Sequence, residues 1–165
     1  MITKLKNGIF SILYVLVLIY LFTFIPSFWG YKPLVVVSGS MEPTLKVGSI
    51  VYYHEIDKNS FEKDNILVYK TKEHIISHRV VDKVENGYIT KGDANECNDS
   101  NIIENEQILG QGENWCIPFL GYYADYIYTH KYLLFIVVSM IIIDLLFDYY
   151  KKYKKKGEKT EWKKC

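Results

Sequence analysis

The 165-residue chain has little of what marks the specialised protein classes. Lysine and arginine number 20 against 19 aspartate and glutamate, a formal net charge of +1, so the global basic excess of a nucleic-acid binder is missing. Hydrophobic residues make up 49% and charged residues 24%, which excludes a disordered or collagen-like chain. Three cysteines are too few for a disulfide scaffold. There is no internal repeat, no low-complexity run and, between residues 30 and 131, no long segment of apolar residues at helical spacing. The length allows one modest domain.

What is present is strongly segregated. Ile9 to Trp29 is 21 residues without a charge, about 31 Å of helix at about 1.5 Å per residue, enough to cross a bilayer core. Tyr132 to Tyr150 is a second, 19-residue, mostly apolar run edged by tyrosines, as at a membrane interface, and interrupted by Asp144 and Asp148. Both are expected to be helices, because hydrocarbon leaves backbone polar groups no partner outside the segment. A cleaved secretory signal is the competing reading of the first run; its length and the want of a nearby small-x-small site favour a retained anchor.

Lys4 and Lys6 precede the first run, and 8 lysines against 2 glutamates follow the second, whereas residues 30–131 hold 10 basic and 15 acidic side chains. The positive-inside tendency then puts both termini in the cytoplasm. The expected organisation is a cytoplasmic N-terminus at 1–8, a transmembrane helix at 9–29, an extracytoplasmic domain at 30–131, a second transmembrane helix at 132–150 and a basic cytoplasmic tail at 151–165. The lysine tail reads as a flank that touches anionic lipid. Asp144 is either a functional intramembrane carboxylate or a residue near the cytoplasmic edge. Cys97 and Cys116 share the middle segment, so a bridge between them is open, whereas Cys165 is in the tail.

The middle segment reads as strands. Pro26, Gly30 and Pro33 discourage helix before the run Leu34 to Val37, whose β-branched residues favour a buried strand. Further strands are expected at Ser49 to Tyr53, Ile66 to Tyr69, Ile75 to Val84 and Tyr88 to Thr90, separated by Asp, Asn, Gly and Lys clusters. The fold class is mainly β: a small antiparallel β domain flanked by two transmembrane helices.

Three pieces of this segment carry chemistry together. Ser38-Gly39-Ser40-Met41-Glu42-Pro43-Thr44 is a turn that presents serine hydroxyls beside backbone N–H groups, the combination acyl transfer needs. Alone it is only a serine-rich turn. Among His54, His74, His78 and His130, His78 falls inside a strand on the face of Ile76 and Val80; alone it reads as a buried, hydrogen-bonded core histidine. Lys91 to Asp99 is an acidic loop holding Asp93 and Asp99, which alone is a solvated turn or a weak calcium loop. In combination they supply nucleophile, base and orienting carboxylate. Lys83 is a conceivable base ranked well below His78.

On SerGlySerMetGluProThr at 38–44, SerHisArgValVal at 77–81 and LysGlyAsp with a second Asp six positions on, at 91–99, the chain resembles type I signal peptidases. The similarity is to the Ser-His branch, which includes the catalytic subunit of the endoplasmic-reticulum signal peptidase complex and related archaeal and spore-former bacterial enzymes. It extends to about residue 121 through Ile108-Leu-Gly-Gln-Gly and Ile117-Pro-Phe-Leu-Gly. The resemblance implies that Ser40 is the nucleophile, that Ser38 and the Ser40 amide line the oxyanion hole, and that His78 is the general base. It implies that Asp99 orients His78, while Asp93 holds the loop or shares that task. Gly48-Ser49 stands where many relatives have Gly-Asp, and Ala94 where the eukaryotic subunit has Asn. The family uses no metal and no organic cofactor.

The implied substrates are secretory preproteins, bound extended, with small side chains before the cleaved bond. The other partners are the lipid bilayer and an unidentified membrane subunit, with no nucleic acid. Ser40 lies 11 residues beyond Trp29, so an extended connection keeps it within about 36 Å of the membrane boundary. Asn98-Asp99-Ser100 is formally a glycosylation sequon, and a glycan there would obstruct the site, which favours a bacterial cell membrane. The alternative function is a membrane-anchored, non-catalytic binding or assembly module built on the same β domain.

Overall fold

The computed structural model describes residues 2–161, with side chains placed for 5–154. In chain order its elements are α1 (Ile2–Phe22), β1 (Lys32–Val35), β2 (Ile50–His54), β3 (Ile66–Lys70), β4 (Ile75–Val84), β5 (Gly87–Lys91), β6 (Ile108–Ile117), α2 (Leu120–Thr129) and α3 (Lys131–Glu161). The chain separates into two units, one made of residues up to 21 and from 127 onward, the other of residues 22–126.

The stretches Leu5–Trp29, which begins in the first unit and ends in the second, and Lys131–Lys154, within the first, are long and apolar enough to cross a membrane by length and composition. Leu18, Leu21, Phe135, Ile143 and Leu146 all point outward, the reverse of a water-soluble helix pair, and hydrocarbon surroundings remove the penalty of that exposure. Asp144 does not stand alone: its Oδ1 is 2.5 Å from Lys6 Nζ, and its side chain is only 14% exposed. The ammonium also lies 5.4 Å from the Phe10 ring centroid and 5.9 Å from that of Phe147. The α-helix α1 stops at Phe22, and the chain continues as a 3-10 turn over Ile25–Trp29. Pro26 explains the change, since it lacks a backbone donor and crowds the preceding turn. Gly30, at φ 86°, closes that turn by donating its N–H to Ser27 O. At the other end α3 runs on through lysines, good helix formers, past Tyr150 to Glu161.

The second unit is a six-stranded antiparallel sheet in the order β1-β2-β6-β3-β4-β5. β3 is buried on both faces, and the two faces take different covers. Ile66 joins Val36, Met41, Leu45 and Val51 in one apolar cluster, so the serine-bearing turn is anchored by its own Met41 and Leu45. Leu67 and Tyr69 join Phe61, Val80, Tyr88, Ile103 and Ile108 in the other. Alternation of side chains along one strand thus ties the turn to one face and β4 and β5 to the other.

β4 and β5 form a hairpin whose register pairs Val84 with Gly87 and Val80 with Thr90. The sequence pattern located β3 and β4 well and was silent on β6, which pairs with both β2 and β3 in the middle of the sheet. Its glycines, which look like breakers, are there for close approach. A Cβ on Gly110 would come within 2.2 Å of His54 O, and one on Gly112 within 2.9 Å of Ile66 Cγ2. The helix α2 also escaped notice: its residues are tyrosine-rich, and it is held by the Gly121 and Tyr122 N–H groups donating to Gly48 O. Cys97 and Cys116 are free thiols, the first exposed and the second half-buried beneath Thr44 O; Cys165 lies outside the described residues.

Candidate active site

The turn after β1 delivers Ser38 and Ser40. It is closed by Glu42 N–H donating to Gly39 O at 3.0 Å and Leu45 N–H to Met41 O at 2.9 Å, while buried Met41 and Leu45 fix it to the sheet. Val36 N–H donates to Ser49 O, and Gly48 N–H to Val36 O, so the segment entering the turn is hydrogen-bonded to the one leaving it. Ser40 O accepts from Ala94 N–H at 2.9 Å, which docks the acidic loop directly on the serine. That approach needs Gly92, since a Cβ there would lie 2.5 Å from Ser40 O.

His78 projects from β4 and is 8% exposed. Its Nε2 is 3.0 Å from Ser40 Oγ and its Nδ1 is 2.6 Å from Asp99 Oδ2. An ionised carboxylate only accepts, so Nδ1 carries the proton toward Asp99, and in the neutral ring Nε2 is left to accept from Ser40. The result is a continuous line from hydroxyl through imidazole to carboxylate. Ser38 Oγ is 3.5 Å from Ser40 Oγ, beside the serine end of the line.

Asp93 stands outside that line. Arg79, next to His78 and on the opposite face of β4, donates from Nε and Nη2 to both Asp93 oxygens at 2.7 Å, and from Nη1 to Asp64 O at 2.6 Å. The guanidinium holds the Asp93 carboxyl below the ordinary carboxylate range, and the carboxylate in turn raises Arg79. The pair ties the acidic loop to β4.

The other candidate bases go elsewhere. His54 Nδ1 faces Glu113 Oε1 at 3.6 Å and its ring packs on Tyr31. His74 is exposed in the β3–β4 connection, where its backbone bonds Thr71. His130 lies in the membrane-helix unit beside Tyr132. Lys83 donates to Asn59 O at 2.6 Å over the Tyr88 ring.

Two residues at the site were not singled out from sequence. Thr90 Oγ1 donates to Asp99 Oδ2 at 2.6 Å, and Tyr69 OH donates to the same oxygen at 3.4 Å. Burial pushes the Tyr69 phenol up to about 12, so it remains a donor. The available signal was the hairpin itself: a threonine and a tyrosine on strands flanking His78, facing inward. Behind His78 and Asp99 opens a cavity of about 640 Å³ lined in part by Thr71, Ile76, Glu96 and Gln107.

A small antiparallel β domain bearing a Ser–His–carboxylate hydrogen-bond line, joined to two apolar helices, is the class of protein that fold and site define. No family model matches the chain. It is 32% identical over 99 residues to Signal peptidase I W of Bacillus subtilis (strain 168), covering 56% of this chain and 52% of that relative. It is 34% identical over 127 residues to Signal peptidase complex catalytic subunit sec11 of Sclerotinia sclerotiorum, covering 67% of this chain and 72% of the relative. Against Signal peptidase complex catalytic subunit SEC11 of Saccharomyces cerevisiae (strain YJM789) the identity is 32% over 132 residues, covering 70% and 77%. The match spans about half the length of the Bacillus relative and about three quarters of the fungal ones. The chain belongs to the signal peptidase family, and its two apolar helices fit a membrane location.

Proposed function

We propose that this protein is a membrane-bound serine endopeptidase that removes signal peptides from secreted preproteins through a Ser40 acyl-enzyme at the extracytoplasmic membrane surface. The observation that carries the reading is the unbroken line Ser40 Oγ, His78 Nε2, His78 Nδ1, Asp99 Oδ2, at 3.0 and 2.6 Å, in a chain of this family.

In the proposed reaction Ser40 Oγ attacks the scissile carbonyl carbon as its proton passes to His78 Nε2. Asp99 stabilises the imidazolium that forms and keeps the ring oriented. The carbonyl oxygen becomes an oxyanion, which the Ser38 hydroxyl and the Ser40 backbone N–H receive. On collapse the carbon–nitrogen bond breaks and His78 gives its proton to the leaving amine. Water then attacks the acyl-Ser40 ester as His78 again accepts a proton; the bond between the acyl carbon and Ser40 Oγ breaks, His78 returns that proton to Ser40 Oγ, and the signal peptide leaves with a new C-terminal carboxyl group. The Asp93–Arg79 ion pair supports a loop-holding role for Asp93 and leaves the orienting role to Asp99.

Charge placement supports the extracytoplasmic position of the β domain, because lysines flank the outer ends of both helices. The Lys6–Asp144 contact supports termini on one side, since it joins the start of α1 to the later part of α3. The relatives named as catalytic subunits of a complex support a membrane partner subunit here. The test is cleavage of a model preprotein with an Ala-x-Ala site by the purified, detergent-solubilised protein beside Ser40→Ala. Processing by the wild type alone is expected; equal processing by both overturns the assignment of the nucleophile.

A further inference from the structure

Asp99 Oδ2 is the most heavily used acceptor in the site. It receives His78 Nδ1 at 2.6 Å from β4, Thr90 Oγ1 at 2.6 Å from β5 and Tyr69 OH at 3.4 Å from β3. Thr90 also fixes the backbone of the same residue, because Asp99 N–H donates to Thr90 O at 2.8 Å. Thr90 is 0% exposed. Its hydroxyl has a single hydrogen, and an ionised carboxylate offers nothing but lone pairs, so the hydroxyl is the donor. A threonine held at backbone and side chain by one aspartate leaves that carboxylate one orientation, with the oxygen shared by Thr90 directed at the imidazole.

We propose that Thr90, with Tyr69 as a weaker second, is a positioning residue of the peptidase site: it fixes the Asp99 carboxylate and sets how strongly that carboxylate holds the proton on His78. The inference rests on the proposed peptidase function and deepens it. A hydrogen-bond donor draws negative charge from the carboxylate. Without it Asp99 pulls harder on the imidazolium, and His78 stays protonated to higher pH.

The charged and titratable groups around the pair come from every neighbouring element. Tyr69 faces it from β3, Ser40 from the turn after β1, and Glu96 and Cys97 from the loop lining the adjoining cavity. Asp93, on the same loop, is paired with Arg79 at 2.7 Å. None of these donates a second short hydrogen bond to Asp99 Oδ2 among the described residues, so Thr90 carries the effect.

The experiment compares wild type, Thr90→Val, Thr90→Ser and Tyr69→Phe in detergent by two readouts. The first is the pH profile of kcat/KM on a model preprotein, with Ser40→Ala as the blank. The second is the NMR titration of the His78 imidazole without substrate. Valine keeps the β-branched shape and loses the donor, whereas serine keeps the donor. Thr90→Val is expected to lower kcat/KM about tenfold at neutral pH and to move both the acid limb and the His78 titration up by about half a pH unit. Thr90→Ser should restore most of both, and Tyr69→Phe should give a smaller shift in the same direction. An unmoved His78 titration in Thr90→Val, or a loss in Thr90→Ser equal to that in Thr90→Val, overturns the inference. A wild type that leaves the preprotein uncut while the His78 titration shifts as stated overturns the peptidase reading and leaves the relay intact.

Discussion

Two carboxylates on one loop, Asp93 and Asp99, meet two neighbouring residues of β4, Arg79 and His78, and the two pairs differ in kind. Arg79 is permanently charged and matches both Asp93 oxygens at 2.7 Å, so the pair behaves as a fixed strut between loop and strand. His78 carries a proton that it can pass on, and Asp99 meets it with one oxygen at 2.6 Å while its other neighbours hold that oxygen in place. Strand alternation is the reason both fit: adjacent β4 residues point to opposite faces, one toward the strut and the other toward the serine. One aspartate meets a fixed charge, and the other meets a ring whose proton can move.

Substitutions separate these roles. The largest effect is expected from Ser40→Ala and His78→Ala, each abolishing cleavage, a loss on the order of 10⁶-fold in kcat, with the double variant hardly worse than either because the groups act as a unit. Mass-spectrometric detection of product from a model preprotein reads this. Asp99→Asn comes next, at about 10³ to 10⁴-fold in kcat with melting temperature close to wild type, since an amide presents the wrong hydrogen-bonding partner to Nδ1. If Asp93→Asn lowered kcat as much as Asp99→Asn, the distinction between the two carboxylates would collapse.

Asp93→Asn is instead expected to lower stability, by about 1 to 3 kcal/mol, with less than about a tenfold change in kcat. Its pH dependence has a definite sign. The folded Asp93 carboxyl titrates below its unfolded value, so its contribution is fully present above about pH 4 and is lost as pH falls through the folded value. Denaturation of wild type and Asp93→Asn at pH 7 and at pH 3 should show the difference shrinking in acid; a constant difference would mean that the ion pair is not its source. The smallest effect belongs to Lys83→Met, expected within about twofold of wild-type kcat, because that ammonium is bonded to Asn59 O. A loss comparable to that of His78→Ala would make Lys83 the base.

Much of this is legible in the sequence. The two apolar runs needed only length and charge, and β4 was bounded at Ile75 and Val84 by its β-branched content and flanking turns. Serine, histidine and two aspartates stood out by motif and order. The parts that stayed hidden share a cause. Gly110 and Gly112 look like interruptions along the chain, yet they admit β6 between β2 and β3, and only the neighbouring strands explain them. Asp93 and Asp99 have equal claims in a linear reading, and their partners sit one residue apart on β4. Thr90 reads as an ordinary strand residue until the chain brings Asp99 back beside it.

By itself, then, the sequence determined the segregation into apolar spans and a β domain, because hydrophobicity and β-branching act locally along the chain. It also determined which residue types are available for chemistry. The tertiary structure decided which aspartate faces the imidazole, which serine lies 3.0 Å from Nε2, and that Lys6 and Asp144 neutralise each other between helices. Hydrogen bonds and ion pairs of that kind depend on ångström distances between residues far apart in sequence, and only the packing of the sheet and the helices sets those distances.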